Sequence, residues 1–175
     1  MFAGQPAAVH NPDRYPRYDR TDMDLHTGQS RIAHLHDPLL LITLAATMLT
    51  GIGLWYWLPS GYASNITASL LTILNIVLLY PVVEELLFRG LIQAELLRRP
   101  KLAVRQFGLS RANLLTSVLF VSLHLIHQPP LWAAAVLVPS LVLGHFRERY
   151  NSLLAPVLLH ILFNATWLSA GMAAN

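Results

Sequence analysis

Apolar residues fall in five long blocks along the chain, and short polar loops separate these blocks. The first block, residues 38–58, has no charged residue and ends in the aromatic cluster Trp55, Tyr56 and Trp57. At about 1.5 Å per residue, a helix of this length crosses a hydrocarbon core of about 30 Å. Aromatic side chains are typical of the boundary between membrane and water. The block therefore predicts a first transmembrane helix.

The other four blocks have the same character and predict four more spans. They cover residues 65–98, 112–127, 131–146 and 152–172. Pro81 interrupts the second block, which predicts either one long kinked helix or two pieces, and Pro139 interrupts the fourth. We expect an all-α membrane protein in which a bundle of about five transmembrane helices forms one domain, residues 37–175.

The basic residues predict how this bundle is oriented. Lys and Arg occur before the first span, after the second and after the fourth, and the other loops and the C-terminus carry none. Every basic residue except Arg89 therefore falls on one side of a five-span bundle, whereas four spans would break the alternation. Because loops rich in Lys and Arg stay in the cytoplasm, the N-terminus is predicted to be cytoplasmic and the C-terminus outside.

Composition narrows the classes of function. Hydrophobic residues make up 54% of the chain and charged residues 12%, against about 25% charged residues in soluble domains. Residues 1–36 are polar, lack the apolar core of a signal peptide and predict a flexible tail. Without cysteine, disulfides, zinc–cysteine sites and thiol nucleophiles are excluded. The basic loops contain few aromatic residues and there is no phosphate-binding glycine motif, so we expect contact with lipid headgroups and no nucleic-acid partner.

Charged residues inside the second span are the first candidates for chemistry. Placing a charge in a bilayer costs about 2.5–3.5 kcal/mol per residue, yet Glu84, Glu85 and Arg89 all occur in this span. Glu85 and Arg89 are four residues apart, so they can form an ion pair along one helix face. Glu84 lies on another face and is left for chemistry or for a partner on a neighbouring helix.

Glu84 lies at a depth in the membrane similar to that of polar residues on other spans. Measured from the nearest basic loop, Glu84, His124 and His160 lie at depths of about 21, 20 and 16 Å. Asn164 is one turn deeper on the same face as His160, and Phe120 shares a face with His124. An acid, two imidazoles and an amide on three helices predict one shared site.

Less specific roles stay open for these polar residues. Hydrogen bonding between helices without catalysis is one alternative, and a proton or ion pathway is another. His127 and His145 lie nearer the span ends and are expected to bond helix carbonyls. Glu95 and Glu148 are expected to be solvated near the membrane surface.

Three motifs occur in order on three of the predicted spans. They are EELLFR at 84–89, FVSLH at 120–124 and HILFN at 160–164. These match EExxxR, FxxxH and HxxxN, and the chain resembles the CPBP family of intramembrane endopeptidases. That family includes the type II CAAX prenyl endopeptidases and bacterial Abi-type relatives. The resemblance covers residues 80–164 and leaves out the tail and the first span.

The resemblance implies hydrolysis of a peptide bond within the membrane. Glu84 and His124 would activate a water molecule, and His160 and Asn164 would stabilise the oxyanion; Glu85, Arg89 and Phe120 would support them. A glutamate in a low-dielectric pocket is a stronger base than in water. Donors aimed at an oxyanion also gain strength where water is excluded.

The resemblance also implies partners, a location and alternatives. The substrate would be a protein or peptide, lipidated or transmembrane, met in the bacterial inner membrane. No cofactor is favoured; zinc is the alternative, with Glu84, His124 and His160 as its ligands. A non-catalytic immunity or scaffold protein is disfavoured because the four residues expected to act in catalysis are all present. A proton- or ion-coupled transporter is disfavoured because no internal repeat is visible.

Overall fold

The structure is a computed structural model that describes residues 37–57 and 69–173, and these are mostly helical. The predicted tail, residues 1–36, and the predicted turn at residues 59–61 lie outside the described residues. Among the described residues, the division into compact units falls after Leu40. The elements in chain order are α1 (Pro38–Trp57), α2 (Leu70–Leu97), α3 (Pro100–Ala103), β1 (Arg105–Gln106), β2 (Leu109–Ser110), α4 (Arg111–His124), α5 (Pro130–Ala135), α6 (Leu137–Tyr150) and α7 (Leu154–Ala173).

Helix α2 carries the acidic motif and continues without interruption past Pro81. Ser69 caps its start, since the Ser69 hydroxyl accepts a hydrogen bond from the backbone N–H of Thr72 at 3.1 Å. Two stretches of wider π-helical turns, Asn75–Leu79 and Leu86–Gln93, alternate with ordinary α-helical turns. Of the two predicted alternatives, one long helix or two pieces, the structure has the single helix.

The predicted interruption near Pro139 is a one-residue turn at Val136 between two helical segments. Helix α5 ends at Ala135, and α6 begins at Leu137. A proline ring clashes with the carbonyl four residues earlier and gives that carbonyl no N–H partner. For Pro139 this carbonyl belongs to Ala135, which accounts for the position of the turn.

The exposure pattern of α2 is the reverse of that in a soluble protein. The charged and amide side chains of Glu85, Arg89 and Gln93 are 0% exposed, whereas Leu86 and Leu91 are 53% and 64% exposed. Soluble helices bury their leucines and expose their charges. A helix that exposes its apolar face and buries its charges against neighbouring helices suits lipid surroundings.

Two helical stretches are long and apolar enough to cross a membrane, Leu70–Leu97 and Pro130–Tyr150. Pro38–Thr50 and Leu154–Ala170 are shorter apolar stretches. Helix α4 has 14 residues, which is about 21 Å of helix against a core of about 30 Å. The helical membrane character is therefore present, and the count of five spans and the cytoplasmic N-terminus stay predictions.

Helices α2, α4, α6 and α7 pack against one another and form the core. Phe120, Leu143 and Leu159, from three of these helices, are each 1% exposed. At the loop end of the core, β1 and β2 form a short antiparallel hairpin in the predicted basic loop. The candidate catalytic residues Glu84, His124, His160 and Asn164 lie on three of these helices, α2, α4 and α7.

Candidate active site

The buried ion pair of α2 is the base of the candidate site. Arg89 Nη1 donates to Glu85 Oε1 at 2.8 Å, as the spacing of four residues predicts. Arg89 Nη2 also donates to Ser140 of α6, at 2.9 Å to the carbonyl and 2.7 Å to the hydroxyl. Further hydrogen bonds of this kind offset part of the cost of burying an ion pair. Nothing in the sequence pointed to Ser140.

Glu85 also orients the histidine of α7. His160 Nδ1 lies 2.8 Å from Glu85 Oε1, so this oxygen accepts hydrogen bonds from both the imidazole and Arg89. The second hydrogen bond fixes which ring nitrogen of His160 carries the proton and how the ring is turned. Glu85 was expected to support the helix and Glu84, and its direct partner on another helix is His160.

Glu84 is the more accessible of the two adjacent carboxylates. Its Oε2 lies 3.5 Å from His160 Nε2, and its side chain is 32% exposed, whereas that of Glu85 is fully buried. Nε2 of His160 therefore faces Glu84, while its Nδ1 is bonded to Glu85.

His124 is the second imidazole within electrostatic range of Glu84. Its Nδ1 lies 2.9 Å from the carbonyl oxygen of Phe120, one turn earlier on α4. The N–H on Nδ1 donates to that carbonyl, which leaves Nε2 as a proton acceptor. Bonding to a helix carbonyl was expected of His127 and His145, and His124 is the histidine that makes such a bond. His145 bonds the loop carbonyl of Gly108 instead.

Phe120 forms the apolar wall between the charged groups. Its ring centre lies 4.5 Å from that of His124 and 5.9 Å from that of His160. The Arg89 guanidinium lies 4.8 Å from the same ring centre, in a cation–π contact. Phe88 packs edge-on against Phe120 at 4.8 Å. Both imidazoles and the guanidinium therefore contact one buried ring, which limits their freedom to move.

Asn164 is fixed by a backbone carbonyl that Pro81 leaves without a partner. In the first π-helical stretch, the N–H of Tyr80 donates to the carbonyl of Asn75, five residues earlier. The next carbonyl in this register, that of Ile76, faces Pro81, which has no N–H. Asn164 Nδ2 donates to Ile76 O at 2.9 Å. One N–H of the amide is thus engaged, and the other is left for a further acceptor.

A second polar cluster lies at the loop end of the core and corrects one expectation. Glu148 is not solvated: its side chain is 4% exposed and pairs with Arg105 at 2.9 Å. Glu148 Oε1 accepts hydrogen bonds from Gln93 at 2.8 Å and from the Ser110 hydroxyl. The partners come from α2, β1 and β2, which a count of residues from the loop does not reveal. Glu95, by contrast, is 55% exposed, as predicted.

The three predicted ligands of zinc lie on three different helices of the site. Glu84 and His160 are close, and His124 lies within electrostatic range of Glu84. Within residues 37–57 and 69–173, no three His, Asp or Glu side chains are placed so that they could hold one metal ion.

Comparison with protein families gives a match to the model described as type II CAAX prenyl endopeptidase Rce1-like, over residues 65–166. This range contains α2, α4, α5 and α6 entirely and the part of α7 that carries His160 and Asn164. The chain belongs to the type II CAAX prenyl endopeptidase Rce1-like family. The searches of curated proteins and of solved structures gave no match.

Membership of the Rce1-like family establishes the broad class of activity. The family consists of membrane-embedded proteases of the CAAX type, so the chain is a membrane hydrolase that acts on a protein or peptide. The three motifs predicted from the sequence all lie inside the matched range. In the structure, the buried ring of Phe120 contacts Arg89, His124 and His160. Glu84 and Glu85 lie beside His160.

Proposed function

We propose that the protein is an intramembrane endopeptidase of the glutamic type, in which Glu84 and His124 activate the attacking water. The observation that carries this proposal is the difference in bonding and exposure between the neighbouring carboxylates of Glu84 and Glu85. Glu85 is saturated at Oε1 by Arg89 and His160, whereas Glu84 is 32% exposed and lies 3.5 Å from His160 Nε2. Of these two carboxylates, Glu84 is the one that is both accessible and held among other ionisable groups, as a general base must be.

In the proposed reaction, a water molecule is held between Glu84 and His124 Nε2. Glu84 accepts a proton as the water oxygen attacks the scissile carbonyl carbon, and the carbonyl oxygen becomes an oxyanion. His160 and the remaining N–H of Asn164 donate to that oxyanion. Collapse of the intermediate breaks the C–N bond, and the proton held by Glu84 passes to the leaving amine. The products are a carboxylic acid and an amine, and no metal takes part.

We further propose that the substrate is a lipidated or transmembrane segment of a protein. Family membership supports this substrate class, and the exposed leucines of α2 favour access from the lipid phase. The proposed topology has five spans with a cytoplasmic N-terminus in a bacterial inner membrane. The support for it is that all basic residues except Arg89 fall on one side of such a bundle.

The test is cleavage of a CAAX-type prenylated peptide by the full chain reconstituted in vesicles. Glu84→Gln and His124→Ala are each expected to lower the cleavage rate by about 10²–10⁴-fold, the usual contribution of a general base. The matched controls are Glu95→Gln and His127→Ala, which change the same residue types at exposed positions and are expected to leave the rate unchanged.

The same assay tests the metal-free reaction. Dialysis against a chelator is expected to leave the rate unchanged. Unimpaired cleavage by both the Glu84 and the His124 variants contradicts the proposed roles. Loss of cleavage on chelation, restored by zinc, contradicts the glutamic mechanism and supports the zinc alternative.

A further inference from the structure

The hairpin formed by β1 and β2 exposes an aromatic side chain at its tip. Arg105 lies opposite Ser110 and Gln106 opposite Leu109, which leaves Phe107 and Gly108 as the two turn residues. Both have positive φ, 53° and 80°, the combination of a type I′ turn, which favours Asn and Gly. A phenylalanine in this conformation is unfavourable. Phe107 is also fully exposed, so it gains no packing within the chain.

Two contacts with α6 hold the hairpin in a defined direction. At its base, Arg105 pairs with Glu148 at 2.9 Å. At its tip, His145 Nδ1 lies 3.2 Å from the carbonyl oxygen of Gly108. His145 precedes Glu148 by three residues, so it lies about 4.5 Å farther from the end of α6 along the helix axis. The hairpin therefore points from the loop end of α6 toward the middle of that helix, and its base is nearer the loop.

The segment around the hairpin is basic. Residues 98–111 contain five basic residues and no acidic one, and all five are exposed. They are Arg98, Arg99, Lys101, Arg105 and Arg111. Exposed basic residues beside a membrane-spanning helix attract anionic lipid headgroups. Aromatic side chains favour the region between headgroups and acyl chains.

We propose that the hairpin, residues 105–110, is a membrane-surface anchor that inserts Phe107 into the lipid leaflet beside the basic loop. Anionic headgroups are the partners of Arg99, Lys101 and Arg111, and the acyl boundary is the partner of Phe107. The direction of the hairpin along α6 brings its tip deeper than its base. The proposal depends on α6 crossing the membrane and does not depend on proteolysis.

The experiment uses the absence of cysteine from the native chain. Phe107→Cys and, as the matched control, Gln106→Cys each provide one thiol for a nitroxide spin label on an exposed hairpin residue. The labelled full chains are reconstituted in vesicles of phosphatidylcholine and phosphatidylglycerol. Collision with oxygen, which concentrates in lipid, is compared with collision with a water-soluble nickel chelate.

We expect the ratio of oxygen to nickel accessibility to be several-fold higher at position 107 than at position 106. Combining Phe107→Cys with Arg99→Gln and Lys101→Gln, or omitting phosphatidylglycerol, is expected to lower the ratio at 107. Equal ratios at 106 and 107 overturn the proposal. Protection of position 107 from both reagents also overturns it and indicates contact with protein. Cleavage is not part of the readout, so failure of the anchor and failure of the proposed protease activity are separate results.

Discussion

Two polar clusters of this protein contain similar residue types and differ in how many hydrogen bonds their carboxylates accept. In the loop-end cluster of Glu148, Gln93, Ser110 and Arg105, both carboxylate oxygens have partners. In the site cluster of Glu84, Glu85, Arg89, Ser140 and His160, Glu85 Oε2 has no hydrogen-bond partner among the described residues. Glu84, a member of the same cluster, is partly exposed. Gln93 Oε1 also has no partner among the described residues, so the difference lies in the carboxylates: Glu148 is bonded at both oxygens, whereas Glu85 is bonded at one and Glu84 is open to water and substrate.

The largest change in stability is expected from breaking the buried ion pair of the site cluster. Arg89→Met leaves Glu85 as a buried charge with one donor fewer, which costs about 3–5 kcal/mol in the free energy of unfolding. The matched control is Arg98→Met, directly after the end of the same helix, because Arg98 also pairs with a glutamate but is 79% exposed. An exposed pair contributes less than about 1 kcal/mol. Denaturant unfolding in detergent measures both, and equal losses would contradict a special role for burial.

An intermediate loss of stability is expected from a substitution beside the loop-end cluster. A Cβ at position 144 overlaps the side-chain amide of Asn113. That amide donates to the carbonyl of Leu141, and the carbonyl of Gly144 accepts from Gln93. Gly144→Ala is therefore expected to lower the free energy of unfolding by about 1–3 kcal/mol, the usual cost of overpacking.

The same variant distinguishes the two clusters by activity. Because the loop-end cluster contains none of the residues proposed for catalysis, we expect the cleavage rate per folded molecule to stay within about twofold of native, well below the effect of losing a general base. Gly53→Ala is the control, since a Cβ there meets no atom of the described residues within 4 Å. A rate loss in Gly144→Ala comparable to that of Glu84→Gln would show that the two clusters work as one unit.

The smallest loss of stability is expected from removing the hydrogen bond between Asn164 and α2. Asn164→Ala removes the donor to Ile76 O and is expected to cost about 1 kcal/mol, a typical single hydrogen bond. In a Pro81→Ala background, the new N–H at position 81 can serve the same carbonyl, so the cost should fall. A double-mutant cycle on unfolding measures this difference. The same cost in both backgrounds would mean that the amide does not act through the carbonyl of Ile76.

Sequence patterns predicted the local features of the site well. The spacing of Glu85 and Arg89 predicted their ion pair, because residues four apart are neighbours on a helix surface. The order of the three motifs predicted the family to which the chain belongs. Depth estimates placed His160 near the level of Glu84, and the two side chains lie 3.5 Å apart.

Depth estimates failed where rotation about a helix axis decides the environment. Glu148 was placed near the membrane surface and expected to be solvated, yet it turns inward to Gln93 and Ser110. His145 was expected to bond a helix carbonyl, yet it reaches the hairpin. Distance along a helix says how deep a residue lies, and it does not say which neighbour the residue faces.

The sequence by itself determined the apolar helices, the Glu85–Arg89 pair and the motif residues, because each depends on neighbours in the chain. The tertiary structure decided that Glu85 orients His160, that Ser140 holds Arg89 and that Asn164 bonds Ile76. These partners are 51 to 88 residues apart. They depend on how each helix is turned, and π-helical turns in α2 change that rotation in a way that the regular spacing of 3.6 residues cannot predict.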